Sequence, residues 1–342
     1  MITEYLKKLY ETIRSVAGIT VVLAIVVAIL SSIFRGPYII VNTVVTGGML
    51  ALMSIGLALV FGVMNVAQFA HGEYFMIGSL TAYYTFIPIE RYLGANPNAA
   101  LSFLAPLVSI LAAFCMGALM GVLSEKLIFY NLRKRSRTNW VMNSFLLTVG
   151  ISVLLVNGHQ LIFGTELKGI VRYWTGRPFC IMDVFVSRDR CYAFILSVLV
   201  IGLFWLFMKA TRTGRAIRAV SQDETGAQMV GIDLSGIQVL TMALSCGLAG
   251  IAGASLLFMF PSYPSVGLDP LYMSWFVIIL AGMGNVLGAV VGAFMVALLK
   301  VLTMEYIGSG WDFVVPTALI MLILIFKPNG IFGSDVRGVL EQ

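Results

Sequence analysis

Charge is the scarcest property of this 342-residue sequence, since Asp, Glu, Lys and Arg make up 11% of it and hydrophobic residues 59%. A soluble domain carries roughly 25% charged residues, so there are too few here to cover a water-exposed surface. Uncharged runs such as 36–72 and 234–268 exceed the roughly 20 residues that a membrane-spanning helix needs. Alternating polarity is also lacking, which disfavours a membrane β-barrel. The sequence predicts an all-α, polytopic membrane protein.

Catalytic and ligand-binding patterns are scarce too. The chain has two histidines, His71 and His159, and no Ser/His/Asp or His/Glu cluster at a usable spacing. No Cys/His spacing resembles a metal site. A G-x-x-x-x-G-K-S/T phosphate loop is missing, so the chain is not expected to bind and hydrolyse ATP by that route, and the run Gly282–Gly288 has the wrong spacing for a dinucleotide fingerprint. We therefore expect neither an enzyme nor a cofactor.

The length and order of the apolar runs predict about ten membrane spans, within a range of eight to ten. They are expected near residues 16–34, 40–63, 72–88, 100–124, 140–162, 192–208, 236–260, 271–284, 287–304 and 312–326. The stretch Pro270–Glu305 is too long for one span and short for two, so a pair of short or broken helices is predicted there.

The net charge of +6 indicates membrane orientation rather than nucleic-acid binding. Ten spans place both termini in the cytoplasm, and 14 of the 22 Lys and Arg residues then lie on the cytoplasmic side. The main basic groups in that set are Lys7, Lys8 and Arg14; Arg133, Lys134, Arg135 and Arg137; Lys209, Arg212, Arg215 and Arg218; and Lys327 and Arg337. The basic external loop from Gly164 to Arg190 is the exception.

Four cysteines are too few for a disulfide framework. Cys115 and Cys246 fall inside apolar spans, where a free cysteine behaves as a small core residue. Cys180 and Cys191 lie in the polar external loop, and two interpretations remain open for them. They form a disulfide if that loop faces an oxidising space, or they are two free thiols.

The segment Asn65–Glu73 interrupts an apolar region with four polar side chains. On a continuous helix Asn65, Gln68 and His71 would share a broad face, with Glu73 pointing elsewhere. Because polar groups in a membrane must be paired or face water, these four are candidates for the translocation pathway or a helix-breaking joint. The alternative is a short cytoplasmic turn in which Gly72 breaks the helix and Glu73 begins the next one.

The loop Lys209–Gly236 contains a second candidate. Ser221 and Glu224 have the spacing of a capping box, and Gly231 is a typical helix stop, so a short helix is predicted over 222–230. Its Ala227, Met229 and Val230 are expected to be exposed and to dock into a partner protein. The alternative is an interfacial helix that rests on lipid headgroups.

Glycines at four-residue spacing indicate close helix packing. Gly284, Gly288 and Gly292 are predicted to line one helix face, and Gly247, Gly250 and Gly253 crowd the seventh span in a similar way.

Three segments, Ser54–Gly78, Gly214–Ile232 and Lys327–Gly333, resemble the permeases of branched-chain amino acid ABC transporters. The resemblance covers most of the chain from about residue 40 onward. It implies a single permease domain over 1–342, with a tail and first span in 1–35 and a permease core in 36–335. Urea and short-chain amide permeases are close relatives of the same family, so the resemblance leaves the substrate open among these solutes.

The resemblance further implies an importer in the inner membrane that is fed by a periplasmic solute-binding protein. A second permease subunit, either a copy or a paralogue, and two cytoplasmic ATP-binding subunits are the implied partners, with membrane lipid and no nucleic acid. It also implies a coupling helix to the ATPase, with the candidate residues Arg215, Arg218, Ser221, Asp223, Glu224, Ala227, Gly231 and Ile232. The alternative is a stand-alone secondary transporter or channel that uses His71 and Glu73 as a relay.

Overall fold

The computed structural model describes residues 16–135, 140–174, 176–181, 184–328 and 330–332. The predicted membrane orientation also used five basic residues that lie outside these ranges: Lys7, Lys8, Arg14, Arg137 and Arg337. The α-helices in the described ranges are α1 (Val16–Arg35), α2 (Tyr38–Met64), α3 (His71–Ala95), α4 (Ala99–Ser124), α5 (Tyr130–Arg135), α6 (Trp140–Phe163), α7 (Arg188–Ala210), α8 (Arg212–Gln222), α9 (Glu224–Met229), α10 (Leu234–Leu256), α11 (Leu268–Ala281), α12 (Val286–Tyr306) and α13 (Val314–Phe326).

Two irregular turns and one hairpin complete the chain that the structure describes. A π-helical turn, Glu125–Phe129, joins α4 to α5, and a 3-10 turn, Ser309–Trp311, precedes α13. The strands β1 (Phe179–Ile181) and β2 (Val184–Val186) pair antiparallel, with Cys180 opposite Phe185. The all-α, polytopic prediction is confirmed.

Each of the ten predicted spans falls on a helix of the structure. Within the described residues, eight helical segments are long and apolar enough to cross a membrane. The other two are α3, whose length is sufficient but which carries Glu73, Glu90 and Arg91, and α11, which has only 14 residues. Two short helices were predicted over 270–305, and this is half right. Helix α11 is short, with 14 residues, whereas α12 has 21 residues and is long enough for a complete span.

Short polar side chains determine where several helices begin. Asn98, Ser187, Asp233 and Asn285 each precede a helix and accept hydrogen bonds from backbone amides of its first turn. Such caps satisfy amides that have no partner within the helix, which matters more in lipid than in water. The long helices therefore start at positions that the sequence marks locally.

Helix α2 lies at the centre of the bundle, packed against α7, α10, α11 and α12. Eighteen of its 27 residues are buried, although its sequence is as apolar as that of a lipid-facing helix. By contrast, α1 exposes large apolar side chains such as Leu23 and Phe34 and packs mainly against α2 and α12. Large apolar residues are also exposed on α4, α6, α7 and α13, as expected of surfaces that meet hydrocarbon.

Glycines bring α10 close to α3 and α4, as predicted. A Cβ on Gly253 or Gly78 would collide with the backbone of the facing helix, at Phe75 and Gly250 respectively. The prediction for Gly284 is wrong: it has a φ of +84° and lies in the turn before α12, where its Cα packs against Gly62. Gly288 and Gly292 do lie on α12, and a Cβ on Gly292 would lie 3.3 Å from the Val277 carbonyl oxygen of α11.

The charged loop between α6 and α7 is a folded unit. Buried Asp189, in the first turn of α7, accepts hydrogen bonds from the amides of Tyr173 (2.8 Å) and Trp174 (2.9 Å). The Tyr173 hydroxyl donates to the Ala254 carbonyl oxygen at 3.0 Å. Burial, with a smaller contribution from Asp189, raises the pKa of Tyr173 above its usual value. The loop is therefore held to α7 and α10.

Of the two interpretations left open for Cys180 and Cys191, the structure has the two free thiols. All four cysteines of the chain lie in described residues and are free thiols. Cys180 is exposed on β1, whereas Cys191 belongs to the first turn of α7. The segment before the hairpin is instead tied to α7 by the Asp189 contacts and by a side-chain bond from Arg188 to the Arg177 carbonyl oxygen, 2.9 Å long.

Candidate translocation site

The polar segment between α2 and α3 forms a non-helical joint. Helix α2 ends at Asn65, which adopts a left-handed conformation (φ 50°), and its amide donates to the Phe61 carbonyl oxygen at 3.0 Å. The next helix begins at His71. The prediction that Asn65, Gln68 and His71 share one helix face is therefore wrong. The helix break occurs at Asn65 rather than Gly72, because Asn tolerates left-handed geometry better than most residues.

Three of the four predicted pathway residues are buried, whereas Asn65 is exposed. His71 and Gln68 are fully buried and Glu73 is 3% exposed. The Gln68 amide points at two sulfur atoms of α10, Met242 Sδ at 3.6 Å and Cys246 Sγ at 3.8 Å. Because polar groups lose their hydration on burial, such side chains persist only where neighbouring elements satisfy them.

Helix α6 clamps the joint through one of its faces. Trp140 Nε1 donates to the Met64 carbonyl oxygen at 3.3 Å, and Ser152 donates to the Glu73 carboxylate. Between them, the Thr148 hydroxyl accepts from the Phe69 amide at 3.2 Å and lies within donating distance of two carbonyl oxygens, that of Ala67 at 3.1 Å and that of Phe145 in its own helix at 2.8 Å. The three side chains are spaced by multiples of four residues and therefore share a face. That spacing in an apolar span was a signal that the sequence analysis missed.

A polar seam crosses the middle of α2. His71 Nε2 lies 3.2 Å from the Met53 carbonyl oxygen, and because a carbonyl only accepts, Nε2 carries a proton. One turn along, the Ser245 hydroxyl donates to the Gly56 carbonyl oxygen at 2.7 Å. A Cβ on Gly56 would lie 2.8 Å from the Ser245 carbonyl oxygen and 3.1 Å from His71 Cε1. We call these four residues, Met53, Gly56, His71 and Ser245, the seam.

A cavity of about 440 Å³ opens on one side of the seam. Its inner wall is apolar and includes Met49, Met53, Phe75 and Leu256. Its rim carries polar and charged groups of both signs, and we call it the charged-rim cavity. The rim residues are Asn42, Arg190, Asp269, Lys300, Glu305 and Asp312.

Contacts between elements hold the rim. Lys300 of α12 pairs with Asp312 at 3.3 Å, and Arg190 of α7 donates to the Asn42 side chain of α2 at 3.1 Å. Sequence reasoning missed these residues. Lys300 did give a signal, since an ionisable residue within an apolar span marks a functional site by default.

None of the predicted pathway residues Asn65, Gln68, His71 and Glu73 lines the charged-rim cavity. Two of them adjoin residues of its wall: His71 bonds to the backbone of Met53, and Glu73 is two residues from Phe75 on the same helix, whereas Asn65 is exposed. The structure thus places the polar joint behind the cavity wall. Among the described residues, no group of three or more His, Cys, Asp and Glu side chains could hold a metal ion.

The predicted surface helix exists, but it begins later than expected. Ser221 belongs to α8, and its hydroxyl donates to the Arg218 carbonyl oxygen at 2.9 Å. Asp223 caps α9 instead, accepting from the Gly226 amide at 2.9 Å, so the Ser221–Glu224 capping box is wrong. The stop at Gly231 is confirmed by its φ of +87°.

The exposure of α9 was predicted only in part. Met229 and Val230 are 82% and 78% exposed, as expected, but Ala227 is buried against the bundle. Ile232 anchors the following turn, with its amide donating to the Ala227 carbonyl oxygen at 3.1 Å. The end of α9 and the residue after it therefore expose two large apolar side chains, and Ala227 is a packing residue.

Helix α9 is connected to the joint through a charged cluster. Gln238 of α10 donates to the Glu224 carboxylate at 3.4 Å, and Glu224 also interacts electrostatically with Arg133. Arg133 pairs with the buried Glu125, and its guanidinium lies 5.1 Å from the ring centroid of Trp140. Trp140 in turn holds the end of α2. A displacement of α9 could therefore reach the joint through these contacts and through the longer-range electrostatic interaction between Glu224 and Arg133.

Comparisons with known proteins agree with this architecture. Residues 39–324 match the model of a family described as the branched-chain amino acid transport system permease component. The chain belongs to this permease family. It is therefore a multi-pass membrane protein of a family of transport subunits rather than of enzymes, and the resemblance seen in its sequence is confirmed.

Three curated relatives of this family align over most of their length. The high-affinity branched-chain amino acid transport system permease protein BraD of Pseudomonas aeruginosa is 27% identical over 86% of this chain and 94% of its own. LivH of Escherichia coli, with the same description, is 25% identical over 85% and 94%. A probable branched-chain amino acid transport permease LivH of Methanocaldococcus jannaschii is 29% identical over 86% and 91%. No solved structure matches the chain.

Proposed function

We propose that this permease imports branched-chain amino acids, or a related small polar solute, across the inner membrane. The proposed complex contains a second permease subunit, two cytoplasmic ATP-binding subunits and a periplasmic solute-binding protein. The observation that carries the proposal is the series of polar interactions from exposed α9 to the joint, in which the step from Glu224 to Arg133 is electrostatic and the other steps are contacts. It provides a route by which work done outside the membrane can move residues beside a solute site.

The proposed orientation has ten spans and both termini in the cytoplasm. It places α8, α9 and the basic end of α5 on the cytoplasmic side. The loop between α6 and α7, and the first turn of α7 with Arg190, then lie outside. The excess of Lys and Arg on the cytoplasmic side supports this arrangement. The charged-rim cavity then opens toward the side from which a binding protein delivers solute.

The shape and charge of the charged-rim cavity support an amino acid as solute. A free amino acid carries one positive and one negative charge close together, and a branched aliphatic side chain is apolar. The rim offers both Arg190 and Asp269, and the wall is formed by methionine, leucine and phenylalanine side chains. The volume of about 440 Å³ lies within the usual range for small-molecule sites.

We propose α9 as the coupling helix that receives the ATPase movement. Glu224 is the first residue of α9, and proline is tolerated at a first helical position. A Glu224→Pro change should therefore leave α9 intact. In a helix that began at residue 222, as predicted from the sequence, the same change would have been disruptive. Ala227→Pro should disrupt it, since the Ala227 amide donates to the Asp223 carbonyl oxygen at 3.0 Å.

The matched pair of proline variants tests the proposal in proteoliposomes that contain the complete transporter. We expect Ala227→Pro to abolish ATP-driven uptake of leucine while the permease remains inserted. Glu224→Pro keeps the helix but removes the carboxylate that Gln238 contacts, so it should lower uptake only in part. Equal uptake by both variants would remove the coupling role from α9. Uptake by the permease alone, without ATP or an ATPase partner, would overturn the importer itself.

The alternative of a stand-alone transporter or channel with a His71–Glu73 relay has weaker support. His71 bonds to the backbone of Met53, whereas Glu73 bonds to Ser152 of another helix. These contacts give each side chain a separate structural role in the joint. Uptake by the isolated protein in response to a pH gradient would favour the relay.

A further inference from the structure

A second cavity, of about 990 Å³, lies on the other side of the seam. It follows α2 from Ile55 to Val63 and is walled by α7 and α12, with α8 at its mouth. Its walls are apolar and include Ile201, Phe204 and Phe294. We call it the basic-mouth cavity.

The charge at the mouth of this cavity has one sign. Lys209 and Arg218 line it, and none of its lining residues among those the structure describes is acidic. Lys209 Nζ lies 4.7 Å from the ring centroid of Trp205, another lining residue. The remaining polar groups there are uncharged, in Ser221, Gln222 and Asn285. An anionic group would therefore be attracted to the mouth and would meet no repulsion from its lining.

Helix α8 holds Arg218 at that position. Ile217 and Val220 are buried against the bundle, whereas Arg215 and Arg218 are exposed. A helix with one buried apolar face and one cationic face is typical of the boundary between headgroups and hydrocarbon. The mouth therefore lies at headgroup level if the apolar walls lie in the hydrocarbon.

The depth of the apolar wall matches one leaflet. Along α7 the lining runs from Lys209 to Val198, which is about 16 Å at 1.5 Å per residue. This is about half of a hydrocarbon core roughly 30 Å thick. The neighbouring outer face of α7 exposes Leu199, Leu203 and Leu206, so an acyl chain can reach the cavity from the bilayer.

We propose that the basic-mouth cavity binds one anionic phospholipid. Arg218 and Lys209 bind its phosphate, and one acyl chain packs along Phe204, Ile201 and Phe294. Basic pockets between membrane helices bind anionic headgroups in this way. A free phosphate would leave the apolar walls unused, and a zwitterionic lipid would gain less from a mouth without acidic residues. The proposal concerns binding and does not depend on what the permease transports.

The headgroup contact is tested by native mass spectrometry of the full chain, purified and then supplied with phosphatidylglycerol or phosphatidylcholine. Each basic side chain near an anionic headgroup contributes roughly a fivefold preference. We therefore expect the ratio of retained phosphatidylglycerol to phosphatidylcholine to fall about fivefold in Arg218→Gln and about 25-fold in Arg218→Gln/Lys209→Gln. Arg215→Gln is the matched control, since Arg215 is exposed on the same helix but does not line the cavity. An unchanged ratio in the double variant would overturn the proposal.

The acyl-chain contact is tested with both basic residues kept. Gly202 lines the cavity and has open space around the position of a Cβ, so Gly202→Leu should fill the cavity without disturbing the fold. We expect it to lower phosphatidylglycerol retention, while Gly150→Leu, at an equally open position outside the cavity, should not. Equal retention by the two variants, or a cross-link between two copies through Gly202→Cys in membranes, would refute lipid occupancy. The cross-link would place a second copy of the chain there.

Discussion

The charged-rim and basic-mouth cavities lie along successive halves of one helix and differ in charge. Residues of α2 from Tyr38 to Met53 line the first and residues from Ile55 to Val63 the second. None of the lining residues that α2 supplies is charged. The first has Arg190 and Asp269 at its rim, whereas the second has only Lys209 and Arg218 as charged lining residues in the described chain. The difference in charge therefore comes from side chains outside α2.

The seam separates the two cavities with backbone contacts that a small residue makes possible. At Gly56 the missing side chain leaves room for His71 and for the backbone of α10. Both hydrogen bonds of the seam use carbonyl oxygens of α2, so the helix stays intact while polar side chains pack on it. The boundary between the two cavities is therefore closely packed at this point.

The largest expected effect comes from enlarging Gly56. The Cβ of Gly56→Val would press on the Ser245 carbonyl oxygen at 2.8 Å, and overpacking of this kind costs about 1–3 kcal/mol. We expect lower thermal stability in detergent and no measurable uptake. Gly150→Val is the control, because no atom lies within 4 Å of the Cβ position there. A stable, active Gly56→Val protein would show that the seam is not a tightly packed boundary.

The second effect separates the two cavities by charge. Lys300→Gln removes a cation from the charged rim and breaks its pair with Asp312, and the loss of one hydrogen bond between charged groups at the rim corresponds to about tenfold in solute binding. We expect solute uptake at subsaturating concentration to fall by about that factor. Lys209→Gln, a change of the same kind at the basic mouth, should leave uptake within about twofold if the solute does not use that cavity. The reverse order would reassign the solute to the basic-mouth cavity.

A smaller effect is expected where the joint meets α6. Glu73→Gln retains an acceptor for the Ser152 hydroxyl, whereas Glu73→Ala removes it and should lower stability by about 1 kcal/mol. We expect Glu73→Gln to transport at nearly the normal rate. If uptake fails equally in both variants, an ionisable group is required at this position, and the relay gains support.

The smallest effect concerns the loop before α7, the helix whose first turn places Arg190 at the charged rim. Because Cys180 and Cys191 are free and the loop is anchored by Asp189, Cys180→Ser should leave the melting temperature unchanged with or without reductant. A reductant-sensitive melting temperature in the wild type that disappears in Cys180→Ser would instead restore the disulfide prediction.

The positions of the helices could be predicted from sequence, but most of the site could not. All ten predicted spans fall on helices because apolar length, Asn and Asp caps and basic flanks act locally. The capping box at Ser221 failed because Asp223 is a competing cap only two residues later. The shared face of Asn65 and His71 failed because one left-handed residue ended the helix. In both cases the sequence offers two acceptable residues at which a helix can begin or end. Packing against neighbouring elements decides between them.

By itself the sequence determined that this chain spans a membrane, where its helices run, and that it resembles a permease family. Only the tertiary structure decided that His71 meets Met53, that Ser245 meets Gly56, and that Lys300 and Arg190 border one cavity. The physical reason is that helical periodicity defines the face on which a side chain lies, but not the element that covers that face. In a chain whose helices are nearly all apolar, the covering element is selected by close packing between residues far apart in sequence.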